Sequence, residues 1–176
     1  NRGIDLNRDL SVIYDLFYSD YPEYFWVNGA WGASCEQRGS TITLTIKPVY
    51  TMTGSALQSA RSAYDAKVNA LTADLSGSDY DKAKTLHDRV IDAVTYTSAA
   101  NDQNAYGALV ERVAVCNGYA RAYQNLLIKA GIPAWYVRGT SRNPTTNTPI
   151  GHAWNLVKLD GQWYYTDVTW DDQGAN

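Results

Sequence analysis

The chain has 176 residues, of which 45% are hydrophobic and 19% charged, a composition typical of a globular protein and not of a disordered one. Its net charge is −3 and it contains no cluster of lysines and arginines, so we do not expect it to bind nucleic acid. The 2 cysteines and 2 histidines have no short paired spacing, which excludes a zinc-finger framework and a disulfide scaffold, and no apolar run approaches the roughly 18 residues of a membrane span.

The first part of the chain predicts a helix followed by a β segment. Apolar side chains at nearly helical spacing predict the helix over residues 4–19. Residues 24–36 are rich in aromatic side chains and glycines, which favours one or two irregular strands. Strict alternation over 41–47 predicts a half-buried strand, and Gly39 and Ser40 form the expected turn before it.

Two helices are predicted in the next segment. From Thr53 the apolar spacing becomes helical, which favours a long helix that ends at Gly77. Ser78 followed by Asp81 is typical of a helix N-cap, so we expect the second helix to begin there.

A polar loop leads from these helices to a helix that begins at a cysteine. Residues 97–104 are polar, and a short helical piece is expected over 106–111. Residues 116–130 then predict a helix with one apolar face, for which Gly131 serves as the C-cap residue.

Three strands are expected to follow, at residues 134–139, 151–159 and 162–169. The segment 140–149 contains two prolines and is predicted to be an exposed loop. Asp160-Gly161 is a strong signal for a two-residue hairpin turn between the last two strands. Together these elements predict an α+β fold with an antiparallel sheet.

The predicted hairpin brings a histidine and an aspartate together. With a two-residue turn, Trp154 lies opposite Asp167, and His152 lies opposite Thr169. The residues expected on this face of the sheet are His152, Trp154, Tyr165, Asp167 and Thr169. His152 and Asp167 then become diagonal neighbours with Cβ atoms about 7 Å apart, within reach of an imidazole–carboxylate hydrogen bond.

Cys116 is expected at a helix N-terminus, where unpaired backbone N–H groups and the helix dipole favour a thiolate. Gly118 beside it permits a close backbone approach. A cysteine nucleophile, a histidine base and an orienting aspartate are typical of covalent acyl transfer. From the residues alone a second interpretation stays open, in which Cys116 is a small buried apolar residue and His152 a structural hydrogen-bonding group.

Two segments resemble the transglutaminase-like superfamily of papain-like cysteine enzymes: VCNGYARAYQNLLIKAGIPAWYVRGT (115–140) and GHAWNLVKLDGQWYYTDVTWDD (151–172). The resemblance covers residues 105–172 and rests on a combination of motifs: Cys-x-Gly-Tyr-Ala, Gly-Ile-Pro, His-Ala-Trp-Asn and Trp-Tyr-x-x-Asp-x-Thr. More weakly, residues 22–27 and 53–95 resemble N-terminal parts of secreted bacterial members. The resemblance implies a central helix that bears the cysteine and packs on an antiparallel sheet that bears the histidine and the aspartate.

The resemblance also implies roles for these residues, with Cys116 as nucleophile, His152 as general base and acid, and Asp167 as the residue that orients His152. The implied substrate is an amide bond of a protein or peptide, including a peptidoglycan peptide. We expect hydrolysis in preference to cross-linking, because no lid-like or calcium-regulated insertion is evident. No metal and no cofactor is expected.

An oxyanion hole is required for this chemistry, and the backbone N–H of Cys116 is expected to supply one donor. In the family the second donor is an upstream side chain whose type varies. Tyr106, Gln103 and Asn104 are the candidates here, and the sequence does not decide between them. Trp154 and Tyr165 are expected to line the substrate cleft.

The remaining features receive structural interpretations. Trp163 is expected in the core, His87 on a solvated helix face, and Cys35 as a free buried thiol. The competing function is a non-catalytic module that retains the fold and binds surface or cell-wall ligands through its tyrosines and tryptophans.

We expect one monomeric domain over residues 1–176, composed of an N-terminal helix and β segment at 1–52, a helical segment at 53–100 and a catalytic core at 101–176. The chain begins at Asn1 and shows no signal-peptide pattern, which favours a processed or excised form. Its bias towards tyrosine, tryptophan, serine, threonine, asparagine and glycine, with few lysines, favours an extracellular or cell-surface protein.

Overall fold

The computed structural model describes residues 6–143 and 145–172, so positions 4 and 5 of the first predicted helix lie outside the described residues. The chain has the predicted α+β fold. The helices are α1 (Leu6–Asp20), α2 (Gly54–Thr72), α3 (Asp79–Ala93), α4 (Cys116–Lys129) and α5 (Val168–Asp171), with a π-helical segment at Gly107–Glu111. The strands are β1 (Val27–Arg38), β2 (Thr41–Tyr50), β3 (Thr95–Tyr96), β4 (Val113–Ala114), β5 (Ala134–Arg142), β6 (Pro149–Leu159) and β7 (Gln162–Thr166).

Strands β1 and β2 form an antiparallel hairpin that turns at Gly39 and Ser40, as predicted. Gly39 has a φ of +61°, a conformation that glycine adopts without strain. The expectation of a half-buried strand holds for Leu44 and Ile46. It is wrong for Ile42, which is 59% exposed because it lies next to the tip of the hairpin.

Ser78 and Asp81 form the predicted N-cap of α3. The N–H of Asp81 donates to Ser78 Oγ at 3.2 Å, and the N–H of Ser78 donates to Asp81 Oδ2 at 3.0 Å, which together make a capping box. Helix α2 ends at Thr72 and not at Gly77, because Asp74 adopts a left-handed backbone conformation with a φ of 57°. No helix of the described part of the chain is long and apolar enough to cross a membrane.

Helix α4 lies at the centre of the core. Every residue from Gly118 to Leu127 is buried. On one side the helix packs against α2 and α3, and on the other against β5 and β6 of the three-stranded antiparallel sheet. Leu126 and Leu127 are fully buried, and each such side chain contributes about 1.5–3 kcal/mol of hydrophobic stabilisation. The predicted arrangement of a cysteine-bearing helix packed on an antiparallel sheet is therefore confirmed.

Two polar side chains of α4 hold the C-terminal end of α1. Arg121 donates from Nη1 to the Tyr18 carbonyl at 2.6 Å, and Gln124 donates from Nε2 to the Ser19 carbonyl at 3.1 Å. The Arg121 guanidinium lies 4.0 Å from the ring centroid of Tyr18 and 4.4 Å from that of Tyr136. These cation–π contacts and the hydrogen bond compensate for burial of the charge.

Asp160 and Gly161 form the predicted two-residue turn between β6 and β7. Both residues have positive φ, 50° and 80°, as a type I′ turn requires. Leu159 pairs with Gln162, so the register of the hairpin is the predicted one.

Strands β5 and β6 are longer than expected. Arg142 still pairs with Pro149, so the prediction of a loop over 140–149 is wrong at both ends. Antiparallel pairing continues until the chain must turn, which leaves 143–148 as the connection.

Strand β7 ends at Thr166, and α5 replaces the predicted strand up to Thr169. The side chain of Asp167 causes the change. Its Oδ1 accepts a hydrogen bond from the N–H of Trp170 at 3.2 Å and so caps a helical turn.

Candidate active site

Cys116 is the first residue of α4, with Val115 as the N-cap. It is a free, half-buried cysteine that packs against Ala120, Tyr136 and Ala153. Backbone N–H groups of the first helical turn lack intrahelical acceptors, so the thiol lies at the positive end of the helix dipole. Ala153 directly follows His152 on β6, so the strand that carries the predicted histidine passes beside the thiol.

Gly118 allows the loop before α4 to approach the first turn of this helix. A Cβ atom at this position would lie 2.5 Å from the carbonyl oxygen of Asp102 and 2.6 Å from the Cβ of Ala114. The same Asp102 carbonyl accepts a hydrogen bond from the N–H of Val115 at 3.1 Å. Close packing at glycine thus fixes the backbone on which Cys116 begins the helix.

His152 and Asp167 are hydrogen-bonded, as the hairpin register predicts. His152 Nε2 lies 2.6 Å from Asp167 Oδ2, and the two side chains are 5% and 24% exposed. Because Oδ1 of the same carboxylate caps α5, both oxygens of Asp167 are held. The prediction that His152 faces Thr169 is wrong, since Thr169 lies in α5 and not on a strand.

The imidazole of His152 lies close to two indoles. The ring of Trp170 stacks on it with centroids 4.6 Å apart and planes inclined by 20°, and the ring of Trp154 lies 5.9 Å away on the same strand. Within the described residues, Nδ1 of His152 makes no hydrogen bond. Strand alternation does not predict the stacking of Trp170 on His152, because this contact depends on the helical turn that Asp167 caps.

A cavity of about 460 Å³ opens beside His152. Trp154 and Tyr165, the two residues predicted to line a cleft, both lie in its wall, and Tyr165 is 75% exposed. The other residues that line it are Thr140, Ser141, Thr166, Asp167, Trp170 and Asp171. The cavity therefore combines aromatic walls with the His152–Asp167 pair.

A chain of hydrogen bonds places Gln103 near the start of α4. Gln103 Nε2 donates to Asp102 Oδ1 at 2.9 Å, and Asn117 Nδ2 donates to Gln103 Oε1. Tyr136 Oη then donates to Asn117 Oδ1 at 2.6 Å. Burial raises the pKa of Tyr136, so this hydroxyl stays protonated and acts as the donor. Gln103 is thus linked to the residue that follows Cys116.

The other two predicted oxyanion donors lie further into the fold. The ring of Tyr106 packs against the core and stacks on Phe25, with centroids 4.8 Å apart. Asn104 Oδ1 accepts a hydrogen bond from the N–H of Gly107 at 3.0 Å. The assignment of Tyr106, Gln103 or Asn104 as a donor stays a prediction.

Three structural expectations need correction. Trp163 does not lie in the core: it is 39% exposed and packs on Trp135, because it lies on the sheet face away from α4. Cys35 is free as expected but exposed and not buried. His87 is only 17% exposed, and its Nε2 lies 3.1 Å from Asp171 Oδ2.

The family model described as the transglutaminase-like superfamily matches residues 66–168. The chain belongs to the transglutaminase-like superfamily. Its similarity to the kyphoscoliosis peptidases of Homo sapiens and Mus musculus is 34% identity over 61 residues, which is 31% of this chain and 9% of either relative. This transglutaminase-like chain therefore matches only about a tenth of the length of those curated relatives.

Solved structures share the fold of this transglutaminase-like chain. A structure described as a TGase aligns with a TM-score of 0.54 and 17% identity over 82% of this chain and 45% of its own. A protein of Cytophaga hutchinsonii, described as a candidate cysteine protease, aligns with a TM-score of 0.51 and 15% identity over 80% of this chain and 62% of its own. At these identities the likeness shows the fold alone.

Proposed function

We propose that the chain is a thiol enzyme that breaks amide bonds of protein or peptide substrates by acyl transfer, with Cys116, His152 and Asp167 as its triad. The observation that carries this proposal is the 2.6 Å hydrogen bond between His152 and Asp167 on a strand that packs beside the cysteine helix. A base oriented by a carboxylate, next to a nucleophile at a helix N-terminus, has the parts that nucleophilic catalysis needs.

In the first step the thiol proton passes to His152 Nδ1, and the Cys116 sulfur attacks the carbonyl carbon of the amide. The C–S bond forms, and the π electron pair of the carbonyl moves onto its oxygen. The Asp167 carboxylate stabilises the imidazolium by accepting a hydrogen bond from Nε2–H. The backbone N–H of Cys116 donates to the new oxyanion.

In the second step the electron pair on oxygen re-forms the carbonyl, and the C–N bond breaks. The Nδ1 proton of His152 goes to the departing nitrogen, which leaves as a neutral amine. Water then attacks the thioester and gives a proton to Nδ1. Collapse of this second intermediate breaks the C–S bond, releases the carboxylic acid and restores the enzyme.

Water is the acyl acceptor in this proposal. Cys116 is only half-buried, and Tyr165 and Trp170 beside His152 are 75% and 43% exposed, which supports access of solvent to the thioester. A closed, dry cleft is the arrangement that protects a thioester from hydrolysis.

The proposed substrate class is a protein or peptide, with peptidoglycan peptides included. We place the enzyme outside the cell or at its surface, as a monomeric domain over residues 1–176.

Selective alkylation tests the triad. Because Cys35 is an exposed free thiol, the experiment uses a Cys35→Ser background. At mildly acidic pH we expect iodoacetamide to label Cys116 rapidly and His152→Ala to abolish this rapid labelling. Cys116→Ser serves as the blank. Equal, slow labelling with and without His152 contradicts the proposal.

The acyl acceptor is tested with casein in the presence and absence of a labelled primary amine. We expect cleavage of casein and little incorporation of label. Incorporation without cleavage reverses the choice of acceptor and identifies a cross-linking enzyme.

A binding module is the second candidate function, and one observation favours it. Trp135 and Trp163 are 55% and 39% exposed, and their ring centroids lie 4.6 Å apart on the outer face of the sheet. Exposed indoles of this kind contact ligands with apolar faces. Ligand binding that is undiminished in Cys116→Ala, with no turnover of any amide substrate, selects this function.

A further inference from the structure

The proposed reaction requires a second hydrogen-bond donor that faces the oxyanion. Two of the three predicted side chains are poorly placed for this task. Tyr106 stacks on Phe25 against the core, and the amide of Gln103 is engaged by both Asp102 and Asn117. The structure offers a further donor, with an unengaged hydroxyl, on another element.

Strand β3, for which the sequence led to no prediction, lies beside the nucleophile. It pairs in parallel with β4, so that Tyr96 lies opposite Ala114, and the N–H of Thr97 donates to the Ala114 carbonyl at 3.0 Å. Ala114 is only two positions before Cys116. This pairing fixes the backbone of Tyr96 at the start of α4.

The ring of Tyr96 extends along the first turn of that helix. Its centroid lies 6.2 Å from the ring of Tyr119. Positions 116 and 119 share a face of a helix, so the ring that contacts Tyr119 lies on the side that bears the thiol. Tyr96 is 57% exposed, and its hydroxyl makes no hydrogen bond within the described residues.

We propose that Tyr96 is a catalytic residue whose hydroxyl donates a hydrogen bond to the oxyanion formed when Cys116 attacks a carbonyl carbon. This inference rests on the proposed function and completes its oxyanion hole, in which the backbone N–H of Cys116 is the first donor. The hydroxyl keeps its proton throughout. Only the electron pair of the carbonyl moves, onto oxygen and back.

Electrostatics agree with a donor role. Burial raises the pKa of Tyr96, and the negative charges of Cys116 and Asp102 raise it further. A phenol with a raised pKa remains protonated at neutral pH, so it is available as a donor.

Two reactions of the same thiol separate this role from a structural one. Acylation by p-nitrophenyl acetate passes through an oxyanion, and the departing p-nitrophenolate carries the electron pair of the broken C–O bond. Alkylation by iodoacetamide displaces iodide from a saturated carbon and forms no oxyanion. In the Cys35→Ser background, we expect Tyr96→Phe to slow acylation by roughly 10²–10³-fold, which is the cost of a lost oxyanion donor, and to leave alkylation unchanged.

Tyr106→Phe is the matched control, since it removes the hydroxyl of the competing candidate. We expect its acylation rate to equal that of the parent. Unchanged acylation in Tyr96→Phe overturns the inference, and so does a parallel loss of both reactions, which reports a damaged nucleophile. Failure of the proposed function looks different: alkylation of the parent is then slow and independent of His152.

Discussion

Asp167 holds His152 with one carboxylate oxygen and caps a helix with the other. Oδ2 lies 2.6 Å from His152 Nε2, and Oδ1 accepts the N–H of Trp170 at 3.2 Å. The helix so capped places the indole of Trp170 on the imidazole. The Asp167 side chain thus determines which imidazole nitrogen faces the carboxylate. Through the capped helix it also determines that Trp170 stacks on the imidazole ring.

Asp167→Asn separates these two tasks. Asparagine is as good an N-cap as aspartate, so we expect α5 to persist and Tm to change little. Loss of the carboxylate removes the partner of the imidazolium and favours the wrong tautomer, which lowers kcat by up to about 10⁴ in triads of this kind. Hydrolysis of labelled casein measures the effect. Asp88→Asn, which alters the other partner of His87 on α3, is the control and should retain activity.

Trp170→Ala is expected to remove the aromatic ring that holds the His152 imidazole in position. Aromatic stacking contributes about 0.5–1.5 kcal/mol, so the His152-dependent alkylation of Cys116 should slow about 2- to 12-fold. Trp170→Phe keeps a stacked ring and should lie between the alanine variant and the parent. Identical rates for the alanine and phenylalanine variants would show that stacking does not position the base.

Gly118→Ala is expected to destabilise the protein. The new Cβ would lie 2.5 Å from the Asp102 carbonyl oxygen, and overpacking of this kind costs about 1–3 kcal/mol. Gly32→Ala is the matched control, because nothing lies within 4 Å of its Cβ position. Urea denaturation measures both variants. An equal effect of the two substitutions contradicts the steric explanation.

The capping box of α3 predicts a pH dependence of stability. Hydrogen bonds from the side chain and then the backbone of Ser78 lower the pKa of Asp81 below its ordinary value of 3.8. A carboxyl with a lowered folded pKa stabilises the protein above its unfolded pKa, and this stability is lost as the pH falls through the folded pKa. The difference in unfolding free energy between the parent and Asp81→Asn should therefore have its maximum value at pH 6 and decrease below pH 3.8. A constant difference across this range would contradict the assignment.

Local signals predicted the hairpin that carries His152 and Asp167. Asp160 and Gly161 adopt the positive φ values of a tight turn, and strand alternation then fixes which residues share a face. That His152 and Asp167 lie within hydrogen-bonding reach of each other followed from this register. Ser78 is a similar case, because its cap involves only neighbours in sequence.

Features that depend on distant contacts could not be predicted in this way. Strands β3 and β4 have two residues each, too few for a periodic pattern, so Tyr96 gave no signal of its place beside the thiol. Strand β7 ends at Thr166 because the side chain of Asp167 caps a helical turn, whereas strand alternation predicts a longer strand. The exposure of Trp163 depends on which face of the sheet α4 covers. The sequence of the strand alone does not predict which face that is.

The hydrogen bonds from α4 to the C-terminal end of α1 determine which mutations near that end the fold tolerates. Both hydrogen bonds end on main-chain carbonyls, those of Tyr18 and Ser19, and every amino acid carries such an atom. Replacement of the Ser19 side chain therefore leaves its hydrogen bond with Gln124 intact. Insertion or deletion of a single residue near this end of α1 rotates the helix by about 100° and moves both carbonyls away from their donors. This junction is thus tolerant of changed residues and sensitive to changed length.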